Sequence, residues 1–417
     1  MFARLTEWQS RAEMILVGPL APEVRRSMYI DLRAAVTGCL FAAIINFIPI
    51  ILRRLGATVE QLAYYYAVTA LGLLTTGVGV WLMRRFGARR VALATWIIGR
   101  STFLLTALTT NVVGLLSLFS LFWVLEAWPG PAYVQTLQVI YPAAQRARVM
   151  ALVRVGMVGA ILVLTPLAGW ILDHWGYRAL LPLAGASGVG SILVFFPLLQ
   201  RISPGQTAPS GRSSSPWQLA KSDPRLTIYL VGTLLFGLAV VISNPLYPAV
   251  QVDRLNLSYT AVGLLGFVQS LCWFLGYLFG GRLVDRFGGI RCLQVVSAVN
   301  AMVMLPYIWA TRGWMLVPSF AAAGLVAAGA DLAVLTVIME LAGPERTPEY
   351  AAVNAILTGV RGLVGPFVGS FLIQFGAPLW TVFAACAALT LLGAAILGFM
   401  IRPVGRSSNV SPDVGRW

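Results

Sequence analysis

Long apolar segments separated by short polar ones run through almost the whole chain. A helix needs about 20 residues to cross the hydrocarbon core of a bilayer, and about twelve segments reach that length. They lack the two-residue alternation of barrel strands, and a helix satisfies its own backbone hydrogen bonds in lipid. The pattern therefore predicts an all-α integral membrane protein. In chain order, the predicted spans 1 to 12 are Tyr29–Leu52, Gln61–Met83, Val91–Thr109, Val112–Gln135, Met150–Leu172, Ala179–Leu199, Leu226–Val250, Ala261–Val284, Cys292–Trp309, Trp314–Met339, Ala351–Phe375 and Leu379–Ile401.

The composition agrees with lipid as the main solvent. Of the 417 residues, 58% are hydrophobic and only 11% are charged, and the mean hydropathy is +0.81. The core of a soluble domain grows too slowly with chain length to bury so much apolar surface. A soluble protein is therefore excluded.

The net charge of +15 is distributed asymmetrically along the chain. If the N-terminus is inside, 21 of the 30 Lys and Arg residues lie in the N-terminal arm, the even-numbered connections or the C-terminal tail, and five lie on the opposite side. Basic residues accumulate in cytoplasmic loops, so both termini are predicted to be cytoplasmic. This distribution explains the high pI without a nucleic-acid partner. The other four lie in or beside spans: Arg33, Arg100, Arg154 and Arg361.

The second half of the chain repeats features of the first at an offset close to 200. Arg85-Phe86-Gly87 after span 2 recurs as Arg286-Phe287-Gly288 after span 8. Six spans per half give both copies the same orientation, which predicts parallel repeats of two six-helix bundles. Spans 5 and 11 also share a register of glycines and a proline, namely Gly159, Pro166, Gly169 and Gly176 against Gly359, Pro366, Gly369 and Gly376.

The repeat predicts five regions. Residues 29–199 and 226–401 are the two bundles, and residues 200–225 form a Pro/Ser/Gly-rich cytoplasmic linker. Residues 402–417 are a cytoplasmic tail, and residues 1–28 are a cytoplasmic arm without the apolar core of a cleaved leader. An apolar stripe at helical spacing in the arm indicates an interfacial helix, and a disordered arm is the alternative. The stripe consists of Phe2, Leu5, Trp8, Ala12 and Ile15.

The segment Gly281–Arg291 resembles the loop signature of the major facilitator superfamily, which is Gly, three residues, Asp-Arg, Phe-Gly and a basic end. The first-half copy differs by having Val80 and Arg84 where Gly and Asp are expected. Span 5, rich in glycine and proline, also resembles that family. The resemblance implies two bundles that alternate access to a central cavity, with a cytoplasmic gate. The expected gate residues are Gly281, Asp285, Arg286, Gly288, Arg291, Arg85 and Gly87.

Glu126 in span 4 and Asp331 in span 10 are the candidate proton-coupling residues. Placing a charged side chain inside lipid costs at least ~2.5–3.5 kcal/mol, so each of these carboxylates is expected to have either a compensating partner or a function. The resemblance implies that spans 1, 4, 7 and 10 line the cavity, where either carboxyl could exchange a proton. The alternative is a buried ion pair that only pins helices, with Arg100 or Arg361 as the partner.

Six residues are candidates for contact with a substrate. Tyr133 lies on the same predicted face of span 4 as Glu126. Asn46 and Asn244 stand near prolines that loosen their helices, although an interhelical amide bond is equally consistent with the pattern. The set is Asn46, Tyr133, Asn244, Gln269, Arg100 and Arg361.

Enzyme chemistry has little to build on in this sequence. His174 is the only histidine, and no glycine-rich phosphate loop precedes Lys221, the only lysine. The four cysteines lack paired short spacing, so neither a disulfide framework nor a metal site is predicted. No cofactor is expected.

We therefore predict a secondary active transporter of the bacterial inner membrane that acts as a monomer. The first hypothesis is proton-coupled export of a small organic solute, with the solute, protons and the lipid bilayer as partners. Import of a nutrient or metabolite is the alternative, and a scaffold or sensor that transports nothing is the third.

Overall fold

The computed structural model describes residues 20–201 and 223–401. Almost all of these residues are helical, and no strand occurs in either range. Ten helices are long and apolar enough to cross a membrane, and two bent helix pairs bring the number to twelve. The predicted fold is confirmed. The spans are Pro22–Thr37 with Cys39–Ile45, Val59–Leu74 with Thr76–Phe86, Ala88–Leu108, Val112–Ile140, Arg148–Trp175, Tyr177–Leu199, Pro224–Arg254, Tyr259–Phe287, Gly289–Trp309, Gly313–Gly343, Glu349–Gln374 and Leu379–Gly398.

Span 1 begins at Pro22, earlier than the predicted Tyr29. Proline suits the first helical position because its missing N–H would have no partner there. The first turns carry the charged residues Glu23, Arg25 and Arg26, so the pattern of apolar residues does not extend to the start of the helix. The predicted interfacial stripe, most of the linker and the tail lie outside the described residues.

Several of the spans, among them spans 1, 4 and 7, are interrupted next to prolines. Span 1 breaks after Ile45 and resumes as Ile48–Arg54, with Pro49 in the first turn of the new helix. Span 4 consists of Val112–Ala127 and Gly130–Ile140. A proline removes one backbone hydrogen bond and crowds the preceding turn, so helices break or kink there.

Span 7 is interrupted in the same way. The helix Pro224–Ser243 ends at Asn244-Pro245, and Leu246–Ala249 continues into the π-helix Val250–Arg254. Both asparagines that were predicted to stand beside helix breaks, Asn46 and Asn244, therefore do so.

The two halves meet along two pairs of spans, 5 with 8 and 2 with 11. The approach is close enough to require glycine. A Cβ added at Gly169 would lie 2.4 Å from the carbonyl oxygen of Tyr259, and one at Gly362 would lie 2.7 Å from the Cβ of Ala70. Of the glycines shared by spans 5 and 11, Gly169 and Gly359 pack between the halves, since a Cβ added at Gly359 would lie 2.5 Å from Leu74 Cδ2.

The repeated Arg-Phe-Gly segments mark two tight connections. Gly87 has a φ of 91° and Gly288 has a φ of 81°, and each stands between two consecutive helices. Only glycine adopts this left-handed region without strain, which explains its presence in both copies. We call the end that carries these connections the basic end, because Arg84, Arg85 and Arg286 lie there.

Gly324 lets spans 10 and 8 touch, and its replacement by alanine should destabilise the second bundle. The new Cβ would lie 2.1 Å from the carbonyl oxygen of Gln269, so the helices must separate. We expect a loss of about 1–3 kcal/mol, seen as a lower Tm in detergent. Gly159→Ala is the control, because nothing lies within 4 Å of its added Cβ and alanine favours helix over glycine. Equal Tm values for the two variants would contradict this packing.

Candidate functional site

A cavity of about 560 Å³ lies between the halves. We call it the central cavity. Its walls come from spans 1, 3, 4, 5 and 6 of the first half and from spans 8 and 10 of the second. Most of the wall is apolar or aromatic. Its charged and aromatic residues are Asp31, Phe41, Trp96, Arg100, Glu126, Tyr133, Arg154, Phe195, Trp273, Tyr277 and Asp331.

Glu126 forms a two-point ion pair with Arg100 of span 3. Arg100 Nη2 lies 2.6 Å from Oε1 and Nε lies 3.1 Å from Oε2. Arg100 also donates through Nη1 to the carbonyl of Gly188, at 3.0 Å, and stands over the ring of Phe41. The side chains are only 15% and 23% exposed. In this conformation Glu126 therefore has the partner that the ion-pair alternative anticipated.

The break in span 4 does not separate Glu126 from Tyr133, because both line the central cavity. Tyr133 packs with Trp96 and Phe195, whose ring centroids lie 6.4 and 5.5 Å away. Gly130 starts the second helix of span 4, Gly130–Ile140, and does not line this cavity. This part of the wall offers flat aromatic surface to a solute.

Asp331 faces the cavity from the second half. Its Oδ2 accepts a hydrogen bond of 2.5 Å from the hydroxyl of Tyr277, and the residue is exposed. No arginine of the described ranges forms an ion pair with it. The guanidinium of Arg154, on span 5, is exposed in the same cavity. Asp331 is thus a carboxylate that a solute or a proton can reach.

Asp31 is a further cavity carboxylate, which is not among the candidates predicted from the sequence. It is only 4% exposed, and its Oδ2 accepts a hydrogen bond of 2.9 Å from the hydroxyl of Tyr141. Burial first, and then the nearby Asp31 carboxylate, raise the pKa of Tyr141 beyond its usual range, so this hydroxyl stays a donor. Its position inside a predicted span was the signal that could have identified Asp31.

A second cavity of about 580 Å³ adjoins the central one and shares Ile45 and Glu126 with it. Asn46 lines this second cavity and is exposed there. The indole N–H of Trp123 in this wall lies beside the hydroxyl of Tyr65, and that of Trp273 in the central cavity lies beside the hydroxyl of Tyr277. Both walls therefore combine an aromatic surface with a hydroxyl group.

Three predicted substrate contacts do not line either cavity. Asn244 ends the first helix of span 7, and Gln269 is half-buried in span 8. Arg361 packs against Gly237 and donates through Nη1 to the carbonyl of Thr233, at 2.5 Å. Arg361 therefore joins spans 11 and 7 in this conformation and does not pair with Asp331.

The predicted gate segment lies at the basic end. Asp285 is exposed and lies at the end of span 8. The first N–H group of span 9 is bonded by span 10, since Gly289 N donates to Glu340 Oε1 at 3.0 Å. Arg85 and Arg286 stand over the rings of their neighbours Phe86 and Phe287. The remaining gate residues, Gly281 and Arg291, lie in span 8 and the first turn of span 9.

The other end of the molecule is closed by polar contacts between the halves, which we call the latch. Arg53 of the first half pairs with Asp253 of the second, with Nε lying 3.0 Å from Oδ2. Asp173 accepts from the backbone N–H groups of Tyr259 and Thr260, at 2.9 and 2.7 Å, at the start of span 8. Arg54 adds a bond to the carbonyl of Leu257 and lies 3.8 Å from the centre of the Tyr259 ring.

The described residues contain no cluster of three or more His, Cys, Asp or Glu side chains that could hold a metal ion. The four cysteines are all free thiols.

The model of the Major Facilitator Superfamily matches residues 32–317 and 229–415. Among relatives, the multidrug resistance protein MdtH of Salmonella arizonae is 26% identical over 191 residues, which cover 44% of this chain and 45% of MdtH. The chain thus spans less than half of MdtH. The probable galactarate/D-glucarate transporter GarP of Escherichia coli K12 is 22% identical over 364 residues, covering 75% of this chain and 79% of GarP.

Two solved structures share the fold. The nucleoside transporter NupG, as its D323A mutant, superimposes with a TM-score of 0.73 at 12% identity and covers 90% of this chain and 100% of its own. An inward-facing, unoccupied bacterial homologue of the human lysosomal transporter Spinster gives 0.63 at 14% identity, with coverages of 91% and 96%.

The latch predicts that Arg54→Gln favours conformations that are open at this end. The substitution removes a cation that contacts both Asp173 and the second half, with Arg54 Nη1 lying 3.9 Å from Asp173 Oδ1. Spin-label distances across the latch should shift towards longer values. Arg178→Gln is the matched control, because Arg178 is exposed near the same end. Unchanged distances in Arg54→Gln would exclude the latch as a determinant of conformation.

Breaking the Arg100–Glu126 pair should cost more stability than breaking a surface pair. Glu126→Gln leaves a poorly solvated guanidinium without its counter-charge, and we expect a loss of about 3 kcal/mol. Glu349→Gln breaks the exposed pair with Arg346, 3.7 Å apart, and should cost at most about 1 kcal/mol. The double variant Arg100→Gln/Glu126→Gln should recover part of the lost Tm. No recovery would mean that Glu126 acts independently of Arg100.

Proposed function

Since this chain belongs to the major facilitator superfamily, we propose that it is a proton-coupled secondary transporter that exports a small organic solute by alternating access. The observation that supports this best is the central cavity, where Asp331 of the second half faces Trp96, Tyr133 and Arg154 of the first. A solute bound there touches both halves, so relative motion of the halves can move its exposure from one side to the other.

Asp331 is the better of the two predicted proton-coupling residues. Its carboxylate accepts a bond from a neutral hydroxyl and has no cationic partner in the described part of the chain, whereas Glu126 is held by Arg100. Without a fixed counter-charge, the Asp331 carboxyl is free to exchange a proton or to contact the solute. Glu126 and Arg100 then serve to fix spans 3 and 4 beside the solute.

The charges of the cavity favour a neutral or cationic solute that carries an apolar, flat surface. Three carboxylates and two guanidiniums line the wall, and the Glu126 carboxylate is paired with the Arg100 guanidinium. A sugar diacid, which the name of GarP indicates for that relative, would meet Asp31 and Asp331 with the same sign of charge. The name of MdtH refers to drug resistance, and export of amphipathic compounds suits this wall better.

Orientation and assembly follow from the same proposal. The basic end faces the cytoplasm of a bacterial inner membrane, both termini lie on that side, and the latch closes the outer side. The gate is formed at the basic end by the segment from Gly281 to Arg291 with Arg85 and Gly87. One chain contains both halves of the cavity and therefore works as a monomer.

Asp331→Asn should abolish proton coupling while solute binding persists. We expect wild-type protein in liposomes with an imposed pH gradient to move protons only when a transported solute is present. The test panel consists of amphipathic cations, neutral aromatics and sugar acids, read with a lumenal pH dye. In Asp331→Asn the coupled rate should fall at least about tenfold, whereas exchange of labelled solute without a gradient continues.

Glu23→Gln is the control, because Glu23 is exposed and outside both cavities. Full coupled transport by Asp331→Asn would remove this residue from the mechanism. The absence of solute-dependent proton movement in wild-type protein, for every member of the panel, would favour a scaffold or sensor over a transporter. Accumulation of the solute on the side of lower proton concentration would indicate import.

A further inference from the structure

Arg33 is an arginine of span 1 that neither the central cavity nor the latch uses. It lies in the helix Pro22–Thr37, and its side chain is exposed. The other arginines predicted in or beside spans are bonded to protein groups or line the central cavity. A charge on a membrane span is unfavourable without a partner or a path to water. The position of Arg33 therefore requires an explanation of its own.

Arg33 lies on the face of span 1 that is turned away from the central cavity. Asp31 borders that cavity, and two residues along an α-helix correspond to a rotation of about 200°. Arg26, seven residues before Arg33, returns to nearly the same direction, and Tyr29 lies between them on that face. Both arginines are exposed, and Tyr29 is half-buried. This stripe therefore faces the surroundings of the bundle.

A third cavity, of about 570 Å³, lies along the stripe, and we call it the arginine pocket. Three guanidiniums line it, those of Arg25, Arg26 and Arg33, together with Tyr29. Arg25 stands over the ring of Tyr29, 5.9 Å from its centre. The remaining wall residues are apolar, namely Leu20, Pro22 and Ile30. The pocket thus joins a concentrated positive charge to apolar surface.

The protein supplies little negative charge to this pocket. No carboxylate in the described ranges forms an ion pair with Arg26 or Arg33. Glu23, one turn before Arg26, is exposed and is in none of the ion pairs of those ranges. Guanidiniums that share one pocket repel each other, so an anion bound between them would be stabilised.

The location of the pocket indicates where the anion comes from. Span 1 starts at the end where span 2 finishes, so the pocket belongs to the basic end. Arg33 follows Tyr29, where the apolar part of the span begins, by four residues. Helical side chains tilt towards the N-terminus, so at this depth a long arginine side chain reaches back to the head groups. Tyrosine is also typical of this membrane layer.

We propose that the arginine pocket binds the phosphate of an anionic phospholipid. The guanidiniums of Arg26 and Arg33 donate to phosphate oxygens, for which the planar fork of arginine is well suited. The apolar wall at Leu20 and Ile30 accommodates the start of the acyl chains. A zwitterionic head group adds an ammonium that the guanidiniums repel, so the pocket selects a lipid with net negative charge.

The test measures lipid binding to the purified full chain in a neutral detergent, by native mass spectrometry during titration with phosphatidylglycerol. Wild-type protein should retain one lipid tightly. Arg26→Gln/Arg33→Gln should weaken that site about 25-fold, which is about fivefold for each charge removed. Arg25 is left in place because it also contacts Tyr29.

Arg89→Gln/Arg90→Gln is the matched control, because it removes two exposed arginines from the start of span 3 at the same end. A role in membrane topology alone applies equally to both pairs, since it requires charge on one side but no shared pocket. The control should leave the tight site unchanged. Equal affinities in the two double variants would overturn the proposal.

Competing ligands separate a lipid from a soluble phosphate. Phosphatidylcholine should bind wild-type protein at least about fivefold more weakly than phosphatidylglycerol does. Glycerol 3-phosphate, which has the phosphate but no acyl chains, should not displace the bound lipid even in large excess. Displacement would assign the pocket to a soluble anion, and equal affinity for the two lipids would exclude recognition of a net negative head group. Either result would overturn the proposal.

Arg33→Lys keeps the charge and changes the geometry. Lysine attracts a phosphate as a point charge without the two-point fork, so its affinity should fall between those of wild type and Arg33→Gln. Binding as weak as in Arg33→Gln would contradict a charge-based site. The Tm of each variant without lipid checks its folding, and added phosphatidylglycerol should raise the Tm of wild type more than that of Arg26→Gln/Arg33→Gln.

These measurements use neither a solute nor a gradient. A failure of lipid selectivity would therefore leave the proposed transport function standing, and a failure of transport would leave the lipid site standing.

Discussion

The cost of placing a charge away from water governs the arrangement of this molecule. In lipid, a charged group needs a counter-charge, hydrogen bonds or a path to water. Arg100 and Glu126 satisfy each other, and Arg361 is bonded to the carbonyl of Thr233. Asp31 and Asp331 have only neutral tyrosine donors, and both border the central cavity. The two carboxylates with the least protein compensation therefore border the cavity, Asp331 exposed to it and Asp31 buried in its wall.

The joint between the halves combines close contact with few strong bonds, which suits the alternating access proposed above. Spans 5 and 8 approach until Gly169 is in contact with the backbone at Tyr259, a contact that depends on small residues and not on strong bonds. The stronger polar bonds lie in the latch, where Asp173 and Arg53 reach across to Tyr259, Thr260 and Asp253. These bonds involve partly exposed groups, so water would replace them if the latch opened.

The sequence alone predicted the spans and the repeat because both depend on local pattern, namely segment length and shared glycines. The ion pair between Arg100 and Glu126 was harder to predict from the sequence, since it depends on how span 3 is rotated against span 4. The same holds for Arg361, a predicted substrate contact that in this conformation is directed at the carbonyl of Thr233. Asp31 was overlooked because the predicted span began at Tyr29, which placed it at the edge. The helix begins at Pro22, so Asp31 is buried well inside it.

The location of Asp31 and Asp331 on different halves has a mechanistic consequence. If one half rocks against the other, Asp331 moves relative to Arg154 of span 5, whereas Asp31 keeps its distance from Tyr141, because both belong to the first half. The contacts of Asp331 would then change with the motion and with a solute between the halves, whereas those of Asp31 would stay the same. Of the two carboxyls, Asp331 is therefore the one whose surroundings differ between the conformations, and a ligand that favours one conformation can act through it.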